Sequence, residues 1–293
     1  MLQTAALHDE GMDDMSDKRM YFGTKEYMTW VKCPAIDADI SEVGWTSTSN
    51  FLNGGANVRN SVDAARVYNF SWNLASDEDI YEVLDFARGV YGSGLIYFLD
   101  PFAMDRNVLP LAWSTPRVQA EDAYPITPNR PTLSGTPANI LRYPTQSAVF
   151  TLSGTETNRS IYIPVPSGHT FHFGMHGSAS GTAAVTLTPD EGVAQNATPL
   201  TVDTQERTGD AISGVTGVTV SFAGSGTITI AGMIAQVLPD GVSVAQGGYI
   251  SGRGHSGCKF VGRPKTSAYS KGLDLIGATA VLQEVGSWYE EGL

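Results

Sequence analysis

Three closely spaced histidines, His169, His172 and His176, are the first candidates for chemistry, because imidazole nitrogens are common zinc ligands. On an extended strand His172 and His176 share one face and His169 takes the other. Three ligands then converge only if the strand bends, so these histidines read as polar or edge residues. Ser256, in Gly254-His255-Ser256-Gly257, sits in a glycine-flanked turn. A nucleophile elbow needs glycine two residues to either side, and position 258 is Cys. Gly252-Arg253-Gly254 lacks the third glycine and the βαβ context of a dinucleotide fingerprint. Asp190, Glu191, Asp203, Glu206, Asp210 and Asp240 fall in turn-like contexts, which single out no carboxylate pair for glycoside hydrolysis. The reading is of a protein that is not an enzyme and uses no cofactor or metal.

Two features concern binding. Residues 251–271 contain Arg253, Lys259, Arg263, Lys265 and Lys271, with no Asp or Glu. This basic strip is either a solvated loop or a docking surface for an acidic partner or a neighbouring subunit. Tyr162, Phe171, Phe173 and Tyr249 are aromatics of the expected sandwich, and such aromatics can stack on sugars as well as pack a core. Tyr162 and Tyr249 are the candidate glycan contacts.

The chain that must position these residues has 293 residues, 18 Lys+Arg, 30 Asp+Glu and a net charge of −12. That balance argues against gripping a nucleic-acid backbone, which requires a basic face. Charged residues are 16%, below the usual ~25%, and 32 Gly with 15 Pro make the chain rich in turns. Cys33 and Cys258 lie too far apart for a CxxC pair. They read as unrelated buried thiols, with a long-range disulfide as the alternative. No apolar run reaches the ~18 residues of a membrane span, and the start lacks a signal-peptide pattern. Synthesis in a cytoplasm and no membrane insertion are expected.

Residues 1–19 carry Asp9, Glu10, Asp13, Asp14 and Asp17 and read as a flexible acidic arm, either frayed or laid on a neighbouring subunit. Residues 20–112 read as an α+β domain. Short strands at 20–23 and 26–32 precede a polar hairpin over 43–66 that turns at Asn53-Gly54-Gly55. In 67–74, Tyr68, Phe70, Trp72 and Leu74 alternate with mostly polar neighbours, which predicts a half-buried strand. One helix follows: Ser76 caps it, Asp77, Glu78 and Asp79 favour its first turn, and Ile80, Val83, Leu84, Ala87 and Val90 form its apolar stripe. Gly92 and Gly94 are expected to stop it, and 95–99 reads as a buried strand. Residues 113–146, with six prolines, read as a linker. Residues 147–293 read as a β-sandwich, with strands at 148–152, 160–165, 170–175, 183–187, 215–222 and 227–235 and a closing strand at 273–285. The fold class is mainly β.

Several stretches in this order resemble the distal tail proteins of long-tailed bacteriophages with flexible tails, especially the minor tail proteins of actinobacterial phages. They are Tyr21-Phe22-Gly23, the hairpin at Asn53-Gly54-Gly55, Tyr68-Asn69-Phe70-Ser71-Trp72 feeding the helix, and Tyr97-Phe98-Leu99-Asp100-Pro101. Further on come Gly252-Arg253-Gly254-His255-Ser256-Gly257-Cys258-Lys259-Phe260 and the closing run Gly277–Gly286. The resemblance spans residues 20–290 and does not extend to the acidic arm. It implies a tail-tube-like domain that forms a homo-hexameric ring, followed by a galectin-like or carbohydrate-binding-module-like jelly roll outside the ring. The implied partners are the tail tube protein, the end of the tape-measure protein, and the tip, hub and receptor-binding proteins. DNA would pass through without specific binding, and the place would be the virion tail tip, assembled in the host cytoplasm. In such a ring the polar hairpin would reach the next protomer, which makes Asn50, Phe51, Leu52, Asn53 and Gly54, with Arg253 and Lys259, the candidate interface. The alternative is a lectin-like module that attaches to host cell-wall glycan.

Overall fold

A computed structural model describes residues 18–34, 39–43, 46–50, 56–60, 65–116, 132–135, 139–140, 143–144, 146–153, 160–202, 204–270 and 274–285. The acidic arm lies outside these residues apart from Lys18 and Arg19, as does most of the expected linker. The chain is mainly β, built around two large apolar cores.

The first core is set by the aromatic face of the strand Ala65–Ser76. Tyr68, Phe70 and Trp72 point inward and are buried with Phe22, Phe86 and Phe98. Such bulky rings need small residues opposite. The strand Leu275–Glu284 supplies two, with Ala278 opposite Trp72 and Ala280 opposite Phe70, and sets Leu282 opposite Tyr68. This corrects the expected boundary at 147–293, because the closing strand belongs to the first body and not to the sandwich. The sheet order is Cys258–Phe260, Leu275–Glu284, Ala65–Ser76, Asp39–Val43, with Lys265–Ser270 also pairing on Leu275–Glu284. A second sheet joins Met28–Lys32, Arg19–Gly23 and Tyr97–Leu99.

The helix Asp77–Arg88 covers this body. Ser76 Oγ accepts the Asp79 N–H at 3.2 Å, and Arg19 Nη2 reaches Asp79 Oδ1 at 2.5 Å. Ile80, Val83 and Leu84 are buried as the periodicity predicts, but Phe86 completes the stripe and Val90 is exposed. The helix ends earlier than expected: Gly89, at φ 75°, adopts the left-handed conformation that closes a helix at low cost.

The second core lies between two sheets, the arrangement of a β-sandwich. One contains His169–Ala179, Ser225–Pro239, Ser147–Ser153 and Thr132–Ser134; the other contains Ser160–Pro164, Gly217–Ala223 and Ala184–Pro189. Two one-turn helices not expected from sequence, Pro101–Met104 and Leu111–Ser114, pack on Ser225–Pro239. Trp113, expected in the linker, is fully buried in this core against Phe222. The bodies therefore meet through 99–114, which is packed structure and not a tether.

Candidate functional site

The polar hairpin is the first surface to consider. Asp39–Val43 pairs with the start of Ala65–Ser76. Beyond it, Thr46–Asn50 pairs with Ala56–Asn60 as a separate two-stranded sheet, with Asn50 opposite Ala56 at its end. Among the described residues these two strands pair only with each other. Phe51, Leu52, Asn53 and Gly54 lie outside the described residues. Five residues per arm, at about 3.3 Å each, carry the ribbon about 16 Å.

The glycine-rich segment 252–257 binds the two bodies together. Gly252 N–H donates to Ser114 Oγ at 2.8 Å, Arg253 N–H to Asn107 O at 3.1 Å, and Gly254 N–H to Leu109 O at 3.1 Å. Backbones approach so closely here that a Cβ on Gly254 would overlap the Val108 carbonyl, and one on Gly252 the Leu109 carbonyl. The obstacle is backbone and cannot swing aside. Gly254→Ala is therefore expected to cost about 3 kcal/mol in urea unfolding, through overpacking.

His255 and Ser256 are buried and not presented as a nucleophilic pair. Glu284 Oε1 accepts the Ser256 N–H at 3.0 Å, and its Oε2 accepts the Arg66 N–H at 2.9 Å. His255 Nε2 lies 2.7 Å from Phe98 O, its Nδ1 lies 2.5 Å from Ser256 O, and its ring stacks on Phe98. Full burial lowers the His255 pKa to about 4, against the opposing pull of the two carbonyls. Burial also raises the pKa of the Tyr68 hydroxyl and of the Cys258 thiol.

Where the bodies meet, a cavity of about 460 Å³ opens beside this segment. Buried Tyr68, Phe70, Trp72 and Phe98 contribute to its wall. Among the described residues, Lys18, Lys32, Arg66 and Arg253 line it with one carboxylate, Asp100. Lys32 Nζ donates to Leu74 O at 3.2 Å, and Lys18 Nζ sits 4.5 Å from the Phe102 ring centre. Cys33 also lines it, and burial, aided by Asp100 and opposed by Lys18, pushes its thiol up to about 11. Cys33 and Cys258 are both free thiols.

The other sequence candidates are placed as follows. Tyr162 is buried: its hydroxyl donates to Asp190 Oδ2 at 2.7 Å, and its ring packs against Tyr97 and under Lys25 Nζ. It also lines the cavity described above, so the little surface it keeps faces that space and not open solvent. Tyr249 lies against Gly232, with its hydroxyl on Ser114 Oγ at 3.3 Å and in contact with Thr115 Oγ1, so it too serves the joint. Lys259 Nζ donates to Ser93 O and Gly94 O at 2.8 and 3.2 Å, fastening the loop after the helix. Arg253 keeps an exposed position on the cavity wall. His176 is buried with Nε2 3.1 Å from Arg207 O, while His169 packs by Trp30. Among the described residues no group of three or more His, Cys, Asp or Glu is placed to hold a metal ion.

Asn107 and Glu284 were not recognised from sequence. Glu284 left a signal: it falls in phase with Ile276, Ala278, Ala280 and Leu282 on the inward face, where a carboxylate needs buried donors. Asn107 left none, because an asparagine after Asp105-Arg106 looks like an ordinary turn residue.

No family model matches the chain, and neither a curated protein nor a solved structure matches it.

Proposed function

We propose that the chain is a structural subunit of the distal end of a long-tailed phage tail. Six copies close into a ring that continues the tail tube, contacts the end of the tape-measure protein, carries the tip and receptor-binding proteins, and lets DNA pass. In this reading the sandwich is a galectin-like module outside the ring.

The self-paired ribbon 46–60 carries the proposal. An isolated two-stranded hairpin is marginal in water, and edges that pair with nothing else among the described residues are templates for pairing with another chain. Laying it on the next protomer satisfies both demands, and repeating that heterologous contact generates a ring when the rotation closes. The net charge of −12 per copy fits a passage that DNA slides through without adhering.

Light scattering tests the role of the ribbon. The full chain is expected near six times 31.2 kDa. A chain lacking 46–64 is expected to remain monomeric with an unchanged thermal midpoint. Rings formed without the ribbon would contradict this contact.

A further inference from the structure

The cavity between the two bodies is chemically unlike the acidic chain around it. Among the described residues, four cationic side chains and one carboxylate surround an aromatic wall. Its volume of about 460 Å³ falls in the roughly 300–1,000 Å³ range of ligand pockets. Aromatic rings beside Lys18, Lys32 and Arg253, which outnumber the one described carboxylate of the lining, suit an occupant that is apolar and acidic together.

Such a segment begins at the cavity itself. Lys18 lines the cavity, and the seventeen residues before it carry five carboxylates and no Lys or Arg. The same stretch holds Met1, Leu2, Leu7, Met12 and Met15. Fully extended, it reaches about 55 Å, ample to turn back into a site that starts at its own root. Tethering also gives the arm a high effective concentration there, about millimolar for short flexible links.

We infer that the acidic arm 1–17 docks in the cavity of its own chain, with leucine and methionine side chains on Tyr68, Phe70, Trp72 and Phe98 and carboxylates facing Lys18, Lys32 and Arg253. The arm is then a built-in occupant of the joint. The inference does not depend on the ring.

Cys33 on the cavity wall provides a probe in the full chain, and buried Cys258 provides an internal control. A thiol introduced by Leu7→Cys is expected to form a disulfide with Cys33 under diamide, within a monomer-sized band on non-reducing gels and mapped by peptide mass spectrometry. Neutralising Asp9, Glu10, Asp13, Asp14 and Asp17 to their amides is expected to raise Cys33 alkylation in the otherwise unaltered chain at least fivefold. The thermal midpoint of this amide variant, read alongside, is expected to match that of the unaltered chain. A disulfide found only between two chains would place a second copy's arm in the cavity and overturn the inference. So would an unchanged alkylation rate, or a rate raised instead by removing 286–293, the other acidic terminus.

Discussion

Replacing Asn107 by aspartate is expected to lower the stability of the chain by about 4 kcal/mol, because two buried donors vanish and a carboxylate faces two carbonyls. The strand Ser225–Pro239 pairs with Ser147–Ser153 only over 225–230. Past that point its free edge is taken by the fully buried Asn107. Nδ2 donates to Met233 O at 3.0 Å and to Ile250 O at 2.8 Å. Oδ1 accepts Ala235 N–H at 3.1 Å and Leu109 N–H at 3.2 Å. Val108 N–H then donates to Ala235 O at 2.8 Å. The side-chain amide thus acts as one more peptide in the sheet and ties the glycine-rich segment to it. Urea unfolding of Asn107→Asp at pH 7 measures the loss. A change below about 1 kcal/mol, the scale of an ordinary surface substitution, would contradict this role.

The second large effect concerns pH. The folded-state pKa of His255 is about 4, below the ordinary value of 6.5. Between these values the unfolded chain binds more protons than the folded one, so stability rises with pH. His255 contributes its full share above pH 6.5, and this is lost as pH falls towards 4. The shift corresponds to about 3 kcal/mol. His255→Gln keeps a donor for the Phe98 carbonyl and removes the titration. The difference in unfolding free energy between wild type and His255→Gln is expected to shrink or reverse by about that amount from pH 7 to pH 4. A difference that stays constant would show that His255 titrates normally.

How legible this was in sequence depends on distance along the chain. The helix Asp77–Arg88 and the strands of the sandwich follow local periodicity, and the cap at Ser76 is visible in the order of residues. The alternation at Leu275–Glu284 announces a strand but does not name its partner. The fit of Ala278 and Ala280 to Trp72 and Phe70 becomes visible only once both strands are in place. Pro101–Met104 was a missed local signal: Asp100 caps it, accepting Phe102 N–H at 2.9 Å, and Pro101 occupies the first turn. The sequence reading places a buried strand over 95–99 and no helix after it. Of the candidate site, the polar hairpin and Arg253 were visible as composition. The cavity was not, because its walls come from segments that only the closing strand and 99–114 bring together.

The central claim is that copies of this chain close around a hole. Class averages of the purified full chain in negative stain test it most directly. The account predicts rings with six-fold symmetry and an open centre, with the ribbon 46–60 of one protomer crossing to the next. Particles with no rotational symmetry, at concentrations well above those at which the ribbon-deleted chain is compared, would contradict it.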